Sequence, residues 1–379
     1  MIKIVNFDNC NSTSIDPRVR AFYMRTASEM KYCSPYYGNP ASESVKTLIE
    51  EARWNVARML NADPSEIILT SSGTEANNLA VKGTAVANHK KGNHVISTDI
   101  EHSSVEYPLK TLSRFDFVID RIPFEDGIKF NVSGYEQLFK RTLLVSIGYA
   151  NSEAGFMLPI KTLSLAARER GVPFHTDACS VAGRVKLDVR DIGCDMLSVS
   201  AHKFGGPSGV GALFVRRGTR LFPLIEGGQE ENGMRGGAYD VCAIAAMGEA
   251  ARLAAAEMDE RTSKIVRVRD MIVRDLNDAC PGQIKWVSSG DDLFYHLGFV
   301  ASGVNSEAAA AKLAQKGILI SPASWCVTAA GKPSAALALR GLGLDEAQCY
   351  VRICVNYMNT EEEASLLAAS LAQYMDSSR

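Results

Sequence analysis

From Glu66 to Val215 the chain alternates short continuous apolar runs with segments whose apolar residues recur at helical spacing. EIILT, HVIST, RTLLVSI, VPFHT, DMLSVS and GVGALFV are the apolar runs, and LAVKGTAVA and KTLSLAARERG are among the helical ones. Such apolar-rich runs predict strands. Their alternation with helices predicts a mainly parallel sheet, covered by helices and joined by right-handed crossovers. Ahead of this region, IKIVNFD reads as a short strand, a helix begins near Pro17, and VKTLIEEARWNVARML carries a long helical pattern behind the loop CSPYYGNPASES. Beyond it, the glycine-rich PLIEGGQEENGMRGGAYDV leads into CAIAAMGEAARLAAAEMDERTSKIVRVRDMIVRDL, which reads as one long helix. IKWV, LFYHLGFV and ILISP are then expected as strands, CYVRICVN is strand-like, and SEAAAAKLAQKG and TEEEASLLAASLAQYM are expected as helices.

The polar residues that punctuate this pattern gather at the ends of the expected strands, where an open α/β sheet binds its ligands. DMLSVS delivers Ser200, His202 and Lys203 into a glycine-rich turn before the next apolar run. A lysine there is a solvated surface charge in the plain reading. Small neighbours that admit a flat ligand, and burial that lowers an amine's pKa, instead suit a Schiff base with pyridoxal phosphate. EIILT runs into Ser71, Ser72, Gly73 and Thr74 at the start of a helix. That start is either a simple cap or a phosphate site built from free backbone N–H groups.

His102 ends another strand, as a structural histidine or one facing the crevice, and a further strand ends at Asn151, Ser152 and Glu153. Asp177 lies beyond a buried run and needs a partner, which is either a pyridinium N–H or an arginine such as Arg184. Cys326, in a loop of small residues after ILISP, is either a buried structural thiol or a nucleophile. Arg352, in an apolar run, needs an anion, either a substrate carboxylate or an internal acid.

Composition narrows the field. The length of 379 residues allows two unequal domains, and a net charge of −2 with 22% charged residues points to neither nucleic acid nor an acidic membrane surface. The start MIKIVNFDNCNS has no basic head followed by a long apolar core, and no stretch is apolar enough to span a bilayer, so a soluble cytoplasmic protein is expected. Nine cysteines, scattered without close metal spacing, suggest neither a disulfide framework nor a metal site. Cys194, Cys242 and Cys280 lie in apolar or helical settings, where cysteine behaves as a small hydrophobe.

Taken in order, SSGTEANN, EHSSVEYP, YANSEAG, HTDACSVAGR, SAHKFGGPSGVGALFVRR, ENGMRGG and SWC resemble cysteine desulfurases of the class V aminotransferase group, the iron-sulfur cluster and nitrogenase-maturation type. The resemblance implies fold type I of the pyridoxal-phosphate enzymes: a large α/β domain over 14–253 with a mainly parallel seven-stranded sheet. A smaller α+β domain, from 1–13 plus 254–379, would carry a mobile cysteine loop near 322–336. It also implies a homodimer.

Residue by residue, the resemblance makes Lys203 the Schiff-base lysine, His102 the histidine stacked on the cofactor ring, and Asp177 the partner of its nitrogen. Gly73, Thr74, Ser200 and His202 would hold the phosphate, with Asn151 and Ser180 also at the cofactor. Asn39 and Arg352 would receive the carboxylate of L-cysteine. The freed Lys203 would move the α-proton, and Cys326 would take the sulfur as a persulfide for an acceptor protein: an iron-sulfur scaffold, a thiolation factor or a phosphorothioation factor.

The chain also departs from the family's pattern. Ser180 stands where glutamine is usual, Ser152 for asparagine, Asn11, Ser12 and Thr13 for Ala-Thr-Thr, Val45 for histidine, and Ala238 for the threonine that reaches the partner's phosphate. These departures leave two other readings, a pyridoxal-phosphate C–S lyase or related enzyme, and a noncatalytic scaffold for sulfur traffic.

Overall fold

The structure is a computed structural model, and it describes residues 3–30, 34–122, 124–125, 129–130, 141–288, 293–322 and 334–377. Its centre is a seven-stranded sheet in the spatial order Ile67–Thr70, Gly211–Val215, Met196–Ser200, Phe174–Asp177, Thr142–Ser146, His94–Ser97 and Val118–Arg121. Only Gly211–Val215 runs antiparallel to its neighbours, and every other pairing in the sheet is parallel. The expected mainly parallel sheet is therefore present. Every residue of Ile67–Thr70, His94–Ser97, Phe174–Asp177 and Met196–Ser200 is buried, including polar ones such as His175, Thr176 and Ser198.

Val118–Arg121 escapes the sequence pattern. It is an edge strand, half-solvated and carrying Asp120 and Arg121, so no apolar run announces it.

The opposite edge is closed by side chains. Arg53, on the helix Pro40–Leu60, donates to the Ile67 carbonyl at 2.8 Å, and the Glu231 carboxylate accepts the Leu69 N–H at 2.8 Å. Arg53 and Glu231 also pair with each other at 2.6 Å. Tyr239 donates its hydroxyl to the same carboxylate at 2.8 Å, so the glycine-rich connector is pinned to the sheet edge.

The segment expected as one long helix is two, Val241–Ala256 and Met258–Ala279, broken at Glu257 (φ −112°, ψ 15°). Glu257 leaves helical geometry where its carboxylate is held by Arg18 at 2.5 Å and Arg261 at 2.9 Å. Beyond it, Ile284–Trp286, His296–Ala301 and Tyr350–Cys354 form a three-stranded antiparallel sheet. The helices Met258–Ala279 and Glu361–Ser377 pack together alongside it. ILISP contributes only Ile318–Leu319, paired in parallel with Val5–Asn6.

The first residues are thus stitched to the C-terminal part of the chain, and a disulfide between Cys10 and Cys354 adds to that seam. This corrects the expectation of no disulfide: the two cysteines lie 344 residues apart, a separation at which no spacing rule relates them. Cys194, Cys242 and Cys280 are buried, as expected. No helix among the described residues is long and apolar enough to cross a membrane.

The helices Pro40–Leu60 and Val241–Ala256 pack closely at Gly248, where an added Cβ would stand 2.4 Å from the Ala52 Cα. Alanine gains about 1 kcal/mol over glycine in helix propensity. Overpacking against a backbone atom costs about 1–3 kcal/mol. Gly248→Ala is therefore expected to lower the urea midpoint, and an unchanged or raised midpoint would show that the two helices can separate without cost.

Candidate active site

The ends of the parallel strands open on a cavity of about 290 Å³. Gly73, Thr74, His102, Asn151, Asp177, Ser180, Ser200, His202 and Lys203 all line it. The sheet brings them together: Asp177 pairs in register with Ser198, so the last turns of neighbouring strands deliver Asp177 and, a few residues further, Ser200, His202 and Lys203 to the same mouth. Lys203 sits on the connection between Ser200 and Gly211, which are themselves paired, so it rides a short loop between adjacent antiparallel strands.

One end of the cavity suits an anion. After Ile67–Thr70 the chain turns at Ser72, whose hydroxyl accepts the Glu75 N–H at 3.1 Å and caps the helix beginning at Gly73. The N–H groups of a helix's first turn have no intrahelical acceptor and present partial positive charge. A Cβ on Gly73 would meet the Cys179 Sγ at 2.4 Å, so only glycine keeps this backbone close to the far wall. The Ser200 hydroxyl lies 2.9 Å from the His202 Nδ1 on that side. Burial, with Lys203 and Arg184 nearby, brings His202 down to about 4 and keeps it neutral.

The other end suits a polar ring. Asp177, 9% exposed, accepts from the Asn77 Nδ2 at 2.6 Å and from the Cys179 N–H at 2.9 Å. Arg184, its alternative partner, turns away: it donates to the Asn9 carbonyl at 2.7 Å and lies 4.4 Å from the centre of the Tyr295 ring. The Lys203 Nζ donates to the carbonyls of Cys10 and Asn11, the latter at 2.9 Å. Burial, reinforced by Arg184 and Arg352, lowers its amine to about 8. An amine so shifted is far readier to act as a nucleophile or base near neutrality than a surface lysine.

The remaining sequence candidates lie elsewhere. Arg352 is buried behind the cavity wall, donating to the Ser152 carbonyl and the Ser321 hydroxyl, each at 2.9 Å. An internal acid, Asp8, stands 3.7 Å away, while the Arg352 Nε has no hydrogen-bond partner. Asn39 is not at the cavity: it is exposed and caps the helix Pro40–Leu60 by accepting the Ser42 N–H at 2.9 Å. Ala238 is exposed and Val45 belongs to the core. Cys326 lies outside the described residues.

Several lining residues carried no signal strong enough to single them out from sequence. Glu101, whose carboxyl burial pushes up to about 8, takes the Thr98 hydroxyl at 2.5 Å and the Gly148 N–H at 2.9 Å, and so ties two loops at the cavity. Cys179, whose thiol burial pushes well up, packs under Gly73. Asn77, buried behind the lining, follows Gly73 by one helical turn, a spacing that puts it on the same face and was the available clue.

Comparison with known proteins gives the same architecture. Residues 5–367 match the family model described as aminotransferase class V. A cysteine desulfurase IscS of Dictyoglomus turgidum is 36% identical over 333 residues, covering 86% of this chain and 84% of that relative. A solved structure named as a NifS-like protein superposes with a TM-score of 0.90 at 28% identity, over 98% of this chain and 99% of the other. Another, SspA in complex with cysteine, has a TM-score of 0.78 at 27% identity, over 95% of this chain and 100% of the other.

Next to Asp177, His175 lies fully buried between the Ser146 and Ser198 hydroxyls, at 2.9 and 3.0 Å, and burial lowers it to about 4. The unfolded chain takes up this proton first as pH falls. The stability the neutral ring confers is therefore complete above about pH 6.5 and is lost progressively down to about 4, on the order of 3 kcal/mol in all. Urea midpoints measured from pH 7 to 4 are expected to fall, and to fall by about one proton's slope less in His175→Gln. Parallel slopes in the two proteins would show that His175 is not the group responsible.

Proposed function

Because this chain belongs to the class V aminotransferase family, with cysteine desulfurases among its relatives over most of its length, we propose that it is a pyridoxal-phosphate-dependent cysteine desulfurase. It converts L-cysteine to L-alanine and leaves the sulfur as a persulfide on Cys326. The observation that carries the reading is the convergence of Lys203, Asp177 and His102 on one cavity whose far end is a helix start built on Gly73. A carboxylate, a shifted amine, an imidazole and an anion cup are the donor set that a phosphorylated pyridine aldehyde requires. When bound, that cofactor would supply an electron sink for the pair released when the α-carbon's C–H bond is broken.

The protein's own groups do the rest. Asp177, already held by Asn77 and the Cys179 N–H, keeps its negative charge aimed at the ring nitrogen. Gly73, Thr74, Ser200 and His202, all at the cavity, would hold the phosphate. Lys203, its amine lowered to about 8, would hold the cofactor through its Nζ and would take the substrate's α-proton on that same atom. Arg352, with its unpartnered Nε behind Ser152, is the cationic anchor for the substrate carboxylate, while Asn39, exposed and away from the cavity, is left to its helix cap. The Cys326 thiol attacks the substrate sulfur: its S–H and the C–S bond of cysteine are exchanged for an S–S bond and a C–H bond of alanine, with no outside oxidant.

The persulfide then passes to an acceptor protein such as a cluster scaffold, a thiolation factor or a phosphorothioation factor. A cytoplasmic homodimer fits this role. Exposed Tyr36, Tyr37, Phe222, Leu224 and Ile225 supply apolar surface suited to a second copy.

With purified protein and L-cysteine, equimolar alanine and protein-bound persulfide are expected. Borohydride reduction should fix the cofactor to the Lys203 peptide. Lys203→Ala should lose both that adduct and turnover, whereas Cys326→Ala should keep the chromophore and lose persulfide and most alanine. Pyruvate and ammonia in place of alanine, with Cys326→Ala fully active, would make the enzyme a C–S lyase, and a colourless protein would make it a scaffold.

A further inference from the structure

His102, Ser104, Asn77 and Asp177 form a continuous hydrogen-bonded chain. Asn77 is fully buried, and its Nδ2 lies 2.6 Å from the Asp177 Oδ2 and 2.7 Å from the Ser104 Oγ. The Ser104 Oγ lies 2.7 Å from the His102 Nδ1, which also faces the Ser104 backbone N–H at 3.2 Å. The Asn77 Oδ1, though buried, has no hydrogen-bond partner.

Donor and acceptor rules fix the direction of every link. An ionised carboxylate only accepts, so Asn77 must turn its NH₂ toward Asp177; the flipped amide would set oxygen against oxygen. The second hydrogen of that NH₂ goes to the Ser104 Oγ, which accepts it. The serine's own proton is then left for the His102 Nδ1. Two donors, the Ser104 hydroxyl and its backbone N–H, thus converge on Nδ1, which leaves the ring's proton on Nε2. The orphaned Asn77 oxygen supports this sense: the orientation is imposed by the carboxylate at the expense of the amide's own pairing.

We propose that Asn77 and Ser104 are positioning residues through which Asp177 sets the tautomer and ring orientation of His102. The proposal deepens the functional reading above and rests on it only for the roles of Asp177 and His102. One charge then serves two groups: the face that would meet the cofactor's nitrogen, and the imidazole that would lie against its ring. Asn77 stands behind the cavity lining and Ser104 is part of it, beside His102, and the part of both is to decide which nitrogen of His102 bears a proton for exchange.

The test is ¹⁵N NMR of the cofactor-loaded protein labelled at histidine, at about pH 8.5, where imidazoles are neutral, with the His102 signals identified by their loss in His102→Gln. The wild-type protein should show His102 as the Nε2–H tautomer. Ser104→Ala and Asn77→Ala should show a clear admixture of the Nδ1–H form and a fall in kcat of about tenfold with KM little changed. Ser104→Thr, which keeps the hydroxyl, should restore both, and separates loss of direction from loss of packing. A wild-type ring protonated on Nδ1, or an unchanged tautomer in Ser104→Ala, would overturn the proposal. Failure of wild-type turnover with L-cysteine would overturn the functional reading instead, since the tautomer is read independently of activity.

Discussion

A single negative charge, placed where water is nearly excluded, organises the centre of this molecule. Asp177 ends a strand that is buried along its whole length, and a carboxylate there costs several kcal/mol unless donors meet it. The sheet cannot supply them, because its own N–H groups are committed to the ladder. They come from the residues just beyond the strands: the Cys179 N–H from the turn that Asp177 itself begins, and Asn77 from the helix that starts at Gly73. The glycine lets that helix lie against Cys179, and the short antiparallel return at Ser200 holds Lys203 over the same space. Satisfying the charge and building the cavity are one event.

The sequence made the sheet readable because strands covered on both faces are rich in apolar residues, and the polar residues they carry, such as His175 and Ser198, are few and pair with one another inside. Val118–Arg121 was hidden for the converse reason: an edge strand answers to solvent, so two of its four residues, Asp120 and Arg121, are charged and the stretch resembles loop. Lys203, His102 and Asp177 stood out because each is a polar residue that follows an apolar run, and the strand ends are where such residues converge. Asn77 and Ser104 did not. Each is an ordinary polar residue near the start of a helix, and its meaning lies in meeting a partner dozens of positions away. The bend at Glu257 was equally hidden, since a glutamate within a helical pattern looks like any surface acid until Arg18 and Arg261 are seen to seize it.

The departures from the family's pattern fall into two physical groups. Val45 sits in the core, and Thr13 bonds both to the His202 carbonyl at 2.9 Å and to the Gly205 N–H at 3.0 Å, so these positions serve the scaffold that seats the lysine loop. Ser152 and Ser180 line the cavity itself, and both use their backbone carbonyls structurally, toward Arg352 and Tyr295. Their short side chains leave the space that a longer amide would fill. The glycine-rich connector bearing Ala238 is not loose, because the Glu231 carboxylate binds it to Arg53 and to the sheet edge, which closes that edge to strand addition.

The stitching of the first residues to the C-terminal sheet reaches further than its size implies. The backbone of Cys10 and Asn11 carries the carbonyl acceptors of the Lys203 amine, while Val5–Asn6 and the Cys354 linkage anchor that same stretch to the distant end of the chain. A change anywhere in the stretch from Val5 to Asn11 therefore bears on that amine, although most of the stretch looks remote from it. An engineer wanting a handle on this protein should attach it after the final helix.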